Sequence, residues 1–137
     1  MTLDEKIAVG VWDEINGYES WTQPGNFSGI QESNSVHGNY VQIWRNEISS
    51  EFLHDTTAGK IMPSGSIIIK EAYSDILGEN TTGITVMKKI TDYDPIHNDW
   101  FWVSYKFNGS LAGKNGAEDF CYSCHHSGKD YVLFNGQ

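Results

Sequence analysis

Only two cysteines occur in this chain of 137 residues, so no multi-bridge disulfide framework holds it together. Positive charge is scarce as well. Nine Lys and Arg stand against 18 Asp and Glu, for a net charge of −9. Binding to nucleic acid needs a basic surface to neutralise phosphates, and this composition argues against one; steering of a cationic partner protein is compatible with it. Nor is there any run near the roughly 18 apolar residues that span a bilayer. Met1-Thr2-Leu3-Asp4-Glu5 lacks the basic start and apolar stretch of a secretory signal. What the chain has in excess is aromatic side chains, 13% of the total with five Trp and seven Tyr. That excess suits the core of a β-rich domain or the lining of a flat apolar cofactor. With 39% hydrophobic and 20% charged residues, one folded domain over residues 1–137 is expected.

The two cysteines stand together in Cys121-Tyr122-Ser123-Cys124-His125, a C-x-x-C-H run. This is the pattern of covalent c-type haem attachment. Two thiols at that spacing add to the two vinyl groups of one porphyrin edge, and the histidine behind them supplies an imidazole to the iron. Three other readings compete. A structural zinc site needs four ligands, and only Cys121, Cys124 and one of His125 or His126 sit together. A thioredoxin-like redox pair belongs between a strand and a helix of a βαβ unit, which does not precede this run. Two buried free thiols are the remaining option.

Thr2-Leu3-Asp4-Glu5 has the capping-box pattern, and Leu3, Ile7, Val11 and Ile15 follow at a spacing of four; a helix to about Gly17 with one apolar face is expected. From Tyr18 to Val36 the chain is rich in Gly, Ser, Asn and Gln and reads as a long loop. A strand is expected from Asn39 to Arg45, with Tyr40, Gln42 and Trp44 on one face and Val41 and Ile43 on the other. Glu47 to His54 reads as a short helical stretch in which Ile48 and Phe52 share a face. The turn Pro63-Ser64-Gly65 launches a β-branched run from Ser66 to Tyr73, which predicts a central strand. Further strands are expected over 83–90 and over 100–107, where Phe101, Val103, Tyr105 and Phe107 share an apolar face; Asp94-Pro95 breaks the chain between them and Asn108-Gly109 turns it after them. A Gly-rich link over 113–116 then leads to a short helix starting near Ala117 that carries the cysteines. The fold class is therefore α+β, an antiparallel sheet with flanking helices and a C-terminal haem-attachment helix. Small electron-transfer cytochromes c, by contrast, are helical and carry the motif near the start.

His37-Gly38-Asn39-Tyr40, the stretch Met62 to Glu71, Val86-Met87-Lys88-Lys89, Asp99-Trp100-Phe101, the haem motif and Asp130-Tyr131-Val132-Leu133 occur in an order that resembles the cytochrome P-460 and cytochrome c′-β family. The resemblance runs from about His37 to the C-terminus. It implies a homodimer with a periplasmic haem c, whose iron has His125 as its one protein ligand and an open sixth position. On this reading a leader has already been removed. The two branches differ in chemistry. Cytochrome P-460 resembles an oxidase of hydroxylamine, with a lysine cross-linked to the porphyrin and a distal carboxylate. Cytochrome c′-β resembles a binder of nitric oxide and carbon monoxide with an apolar aromatic cap. Lys70 is the candidate for the cross-link; a later register would put Ser74 there, and a solvated strand lysine is the plain alternative. Glu71, Glu118 and Asp130 are the candidate carboxylates, and Phe52 and Trp44 the candidate distal groups beside the haem. The aromatic wealth favours gas binding. Electron transfer with a redox partner protein is a further reading, and would need a second axial ligand from Met62, Met87, His37, His54, His97 or His126.

Overall fold

The computed structural model describes residues 1–23, 28–35, 37–49, 61–125 and 130, with the side chains of 34 and 35 left aside. Helix α1 covers Leu3–Glu14, and its start is the expected capping box: the Thr2 hydroxyl accepts from the Glu5 amide while the Glu5 carboxylate accepts from the Thr2 amide. The helix ends earlier than the periodicity predicts, with Ile15 as its C-cap and Gly17 in the left-handed conformation beyond it. Its buried face runs through Ala8, Val11 and Ile15, whereas Leu3 is exposed. One turn of spacing-four residues thus drifts off the contact line, because 3.6 residues make a turn.

Six strands follow in one antiparallel sheet whose spatial order is the chain order: β1 (Gln31–Ser35), β2 (Gly38–Arg45), β3 (Ile67–Tyr73), β4 (Thr81–Lys89), β5 (Trp100–Tyr105) and β6 (Leu111–Gly116). Helix α2 (Asp119–His125) completes the described fold. The expected four strands are all present. Two more join them: β1 lies inside the stretch read as loop, and β6 begins two residues before the stretch read as a link and takes it in. Both are edge strands, so they need no apolar run to hold their place. Of the predicted helical stretch from Glu47, a 3-10 turn covers Glu47–Ser49; Phe52 and His54 lie outside the described residues. Gly65 sits at a φ of 90° as the chain turns from Pro63 into β3, with the Ser66 amide donating to the Pro63 carbonyl at 3.1 Å; that conformation suits glycine. No helix among the described residues is long and apolar enough to cross a membrane.

Both faces of this sheet are covered, which is why β3 is buried at every position. On one face α1 packs with Tyr18, Trp44, Ile67, Ile69, Phe101, Val103 and Tyr105. The Tyr105 hydroxyl ties this layer to the helix by donating to the Ala8 carbonyl at 2.6 Å. On the other face Val41, Ile43, Ile68, Ala72, Met87, Trp100 and Trp102 meet Met62 and Tyr122 of α2. Strand alternation decides which side chain reaches which layer, and so it decides what can touch the cysteine-bearing helix.

Candidate functional site

Cys121 and Cys124 are one helical turn apart on α2, and His125 follows at its end. All three line one open-mouthed cavity against the sheet, about 880 Å³ of empty space with its mouth included. Its walls are mostly apolar, with Ile68, Met87, Trp102 and Phe120 prominent. His125 is buried, with its ring edge-on to Trp102 at 4.9 Å and to His37 at 6.1 Å.

Two anchors aim α2 at this cavity. Tyr122, between the cysteines, donates its hydroxyl to Asp94 at 2.7 Å and lies 2.9 Å from the Trp100 carbonyl, while its ring stacks on His97 at 3.9 Å. Burial and the Asp94 carboxylate hold the Tyr122 phenol protonated well above its ordinary range. Beyond the helix, Asp130 is fastened to the sheet by Lys89, Asn98, Trp100 and the Met62 amide.

The thiols are free, Cys121 half-buried and Cys124 exposed. Burial, with Glu118 adding to it, pushes the Cys121 thiol up to about 11. A redox-active C-x-x-C pair works with a lowered thiol pKa, so this one runs the wrong way for that role. Two thiols and an imidazole converging on one mostly apolar cavity do suit a haem: Cys121 and Cys124 would bind the ring edge and His125 the iron, with the Lys114 ammonium, over the Phe120 ring at 4.9 Å, at the same cavity.

The remaining sequence candidates separate by face. Lys70 lines the cavity and is only 5% exposed, so the alternative of a solvated strand lysine does not hold. Desolvation brings its pKa down to about 8. His37 also lines the cavity; its Nδ1 is 3.3 Å from the Thr85 hydroxyl, and burial followed by the charge of Lys70 lowers it to about 3. Met87 is a third lining candidate, while Met62 is buried in the core beneath and His97 stacks outside on Tyr122. Trp44 is not brought to the site. It is an even-numbered residue of β2 and packs edge-on against Tyr18 in the α1 layer. Glu71 points to that same far side and accepts from the Tyr18 and Tyr73 hydroxyls. Glu118 accepts from the Asn115 amide, and Asp130 is consumed by its anchor, so no carboxylate is among the described residues lining the cavity. Ser74 is exposed past the end of β3. Phe52, His54 and His126 lie outside the described residues.

Sequence reasoning missed Trp102 and Phe120. The signal was there for Trp102: Trp100 and Trp102 alternate with the apolar set on β5, so both faces of that strand had to be covered.

No curated protein matches the chain. The profile of the family described as Cytochrome P460 matches residues 15–134, nearly the whole length and including both cysteines, His125 and Lys70, and the chain belongs to that family of haem-binding cytochromes.

Proposed function

We propose that the chain carries one c-type haem, held by Cys121, Cys124 and His125, and binds nitric oxide and similar small gases such as carbon monoxide at the ring face away from His125. The observation that carries this reading is the character of the cavity, which is apolar and has no carboxylate among its described lining residues. The haem, when bound, supplies an iron that takes diatomic ligands. The protein's part is to hold the ring by two thiols, to orient one imidazole against Trp102, and to face the ring with a mostly apolar wall. A periplasmic homodimer served by a redox partner protein belongs to the same reading. The test is optical and resonance Raman spectroscopy of the reduced protein. Adding nitric oxide or carbon monoxide is expected to shift the haem bands stoichiometrically. A resting iron already bound by two protein side chains, with His37 or Met87 as the second, would refute it.

One observation favours a second reading. Lys70 is buried in the same cavity at a pKa of about 8, so about a tenth of it is neutral amine near pH 7, a nucleophile held beside the ring site. That supports a lysine–porphyrin bond, formed in place of a ring C–H bond with two electrons and two protons passing to an added chemical oxidant, and hydroxylamine oxidation of the P-460 kind, which also needs a base. Lys70→Ala is then expected to abolish an unusual Soret shift that survives acid extraction, together with any hydroxylamine turnover driven by a chemical oxidant. If the wild-type haem peptide shows no such shift, gas binding stands alone.

A further inference from the structure

A second cavity, of about 530 Å³ of empty space with its open mouth included, lies on the opposite face of the sheet, where α1 ends. Its inner wall holds Glu71, only 9% exposed. Both oxygens of that carboxylate are engaged, one by the Tyr18 hydroxyl and the other by the Tyr73 hydroxyl. Burial and the Glu71 carboxylate hold both phenols protonated well above their ordinary range, so they donate to Glu71 and do not neutralise it. Among the described residues no Lys, Arg or His makes an ion pair with it.

A buried anion without a cation is costly, and proteins pair such groups or reserve them for a ligand. The rest of this cavity favours positive charge in three further ways. Trp12, Tyr18 and Phe107 line it, and aromatic rings attract organic cations through their quadrupole. Glu19 lines it too, adding a second carboxylate. The C-terminal end of α1 closes it through Ile15, Asn16 and Gly17. A helix of this length carries partial negative charge at its C-terminus, and α1 has no basic residue in its last turn to answer it. Lys70, beside Glu71 in the chain, lines the other cavity, Lys88 is held by Glu14 at 2.5 Å, and neither they nor the exposed Lys106 beside Phe107 belongs to this lining.

We propose that this cavity binds a small organic ammonium ion, its N–H groups directed at Glu71 and its carbons against the aromatic lining. The site is separate from the haem cavity, lies on the other face of the sheet, and does not depend on what the haem binds. Specificity follows from the chemistry: a neutral molecule of the same shape would fill the apolar part and gain nothing from the carboxylate.

The test titrates the haem-loaded protein with n-propylammonium chloride and, separately, with n-propanol at matched ionic strength. Binding is read by calorimetry and by the shift of the Trp12 indole N–H in nitrogen-15 spectra. Saturable binding of the ammonium that moves the Trp12 resonance, with the alcohol at least about tenfold weaker, is the expected result, since one desolvated charge–charge contact is worth that much. Glu71→Gln is expected to bring the ammonium down to the level of the alcohol. Should that variant fail to fold, Phe107→Ala, a half-exposed position, is expected to weaken the ammonium severalfold while leaving the haem spectrum unchanged. Equal binding of alcohol and ammonium, absence of saturation with both, or saturation that leaves the Trp12 resonance unmoved would overturn the proposal.

Discussion

With Cys121 and Cys124 both replaced by serine, protein matured in a haem-attaching host is expected to lose its covalent haem, from one per chain to none. Both thiols face one cavity from adjacent turns of α2, with the His125 imidazole beside them. Serine keeps the size and polarity of each position but cannot form a thioether, and Tyr122 and Asp130 still anchor the helix. The fold should therefore survive while the tether disappears. Haem staining of a denaturing gel reads the result directly, because only covalently bound haem runs with the chain. Each single variant, Cys121→Ser or Cys124→Ser, should retain one thioether and stain. The double variant also separates the two functional readings. Residual covalent haem that vanishes on adding Lys70→Ala would reveal a third bond, made by the lysine buried in the same cavity. Full staining of the triple variant would mean that these residues do not hold the haem at all.

How much of this was legible in advance depends on what each residue had to signal. The haem motif stands out because its chemistry fixes both residue types and spacing, and no packing consideration generates C-x-x-C-H. The central strands were legible from β-branched runs, and alternation along β2 correctly separated Val41 and Ile43 from Trp44. Alternation alone does not say which face meets the helix that carries the haem motif. Trp44 was therefore offered as a distal group although it packs with Tyr18 and α1. The same ambiguity attached to Lys70 and Glu71: adjacent in sequence, they emerge on opposite faces, the lysine into the haem cavity and the carboxylate between two tyrosines. Edge strands β1 and β6 were read as loop and link because Gln31–Ser35 and Leu111–Gly116 are mostly polar or Gly-bearing and gain their strand geometry from a neighbour's backbone. Asp130 carried no legible structural role, since its partners Met62, Lys89, Asn98 and Trp100 are 30 or more residues away in the chain.

That last group gives the largest expected loss of stability. Asp130→Ala should cost about 3–5 kcal/mol, the range for breaking a buried ion pair from one side. Lys89 is 5% exposed and Asp130 fully buried at their side chains, so the ammonium left behind has no water to turn to. Desolvation already lowers the Lys89 pKa, and Asp130 is the main influence opposing it; the Trp100 ring, 4.7 Å from Nζ, replaces only part of that attraction. The substitution also strands the Asn98 amide and the Met62 N–H, which donate to the carboxylate at 2.8 Å each. Urea unfolding of the haem-loaded protein measures the effect as a lower midpoint at unchanged slope. The asymmetry of buried pairs supplies the control. Lys89→Met leaves Asp130 with its three other donors and should cost less, about 1–3 kcal/mol. Lys89→Met combined with Asp130→Asn removes both charges at once and should recover part of the Asp130→Ala loss. A cost below about 1 kcal/mol for Asp130→Ala, the level of an exposed pair, would show that the Asp130 contacts do not act as an anchor on the sheet. The orientation of His125 would then rest on the Tyr122 contacts with Asp94 and Trp100 and on the Trp102 ring against the imidazole.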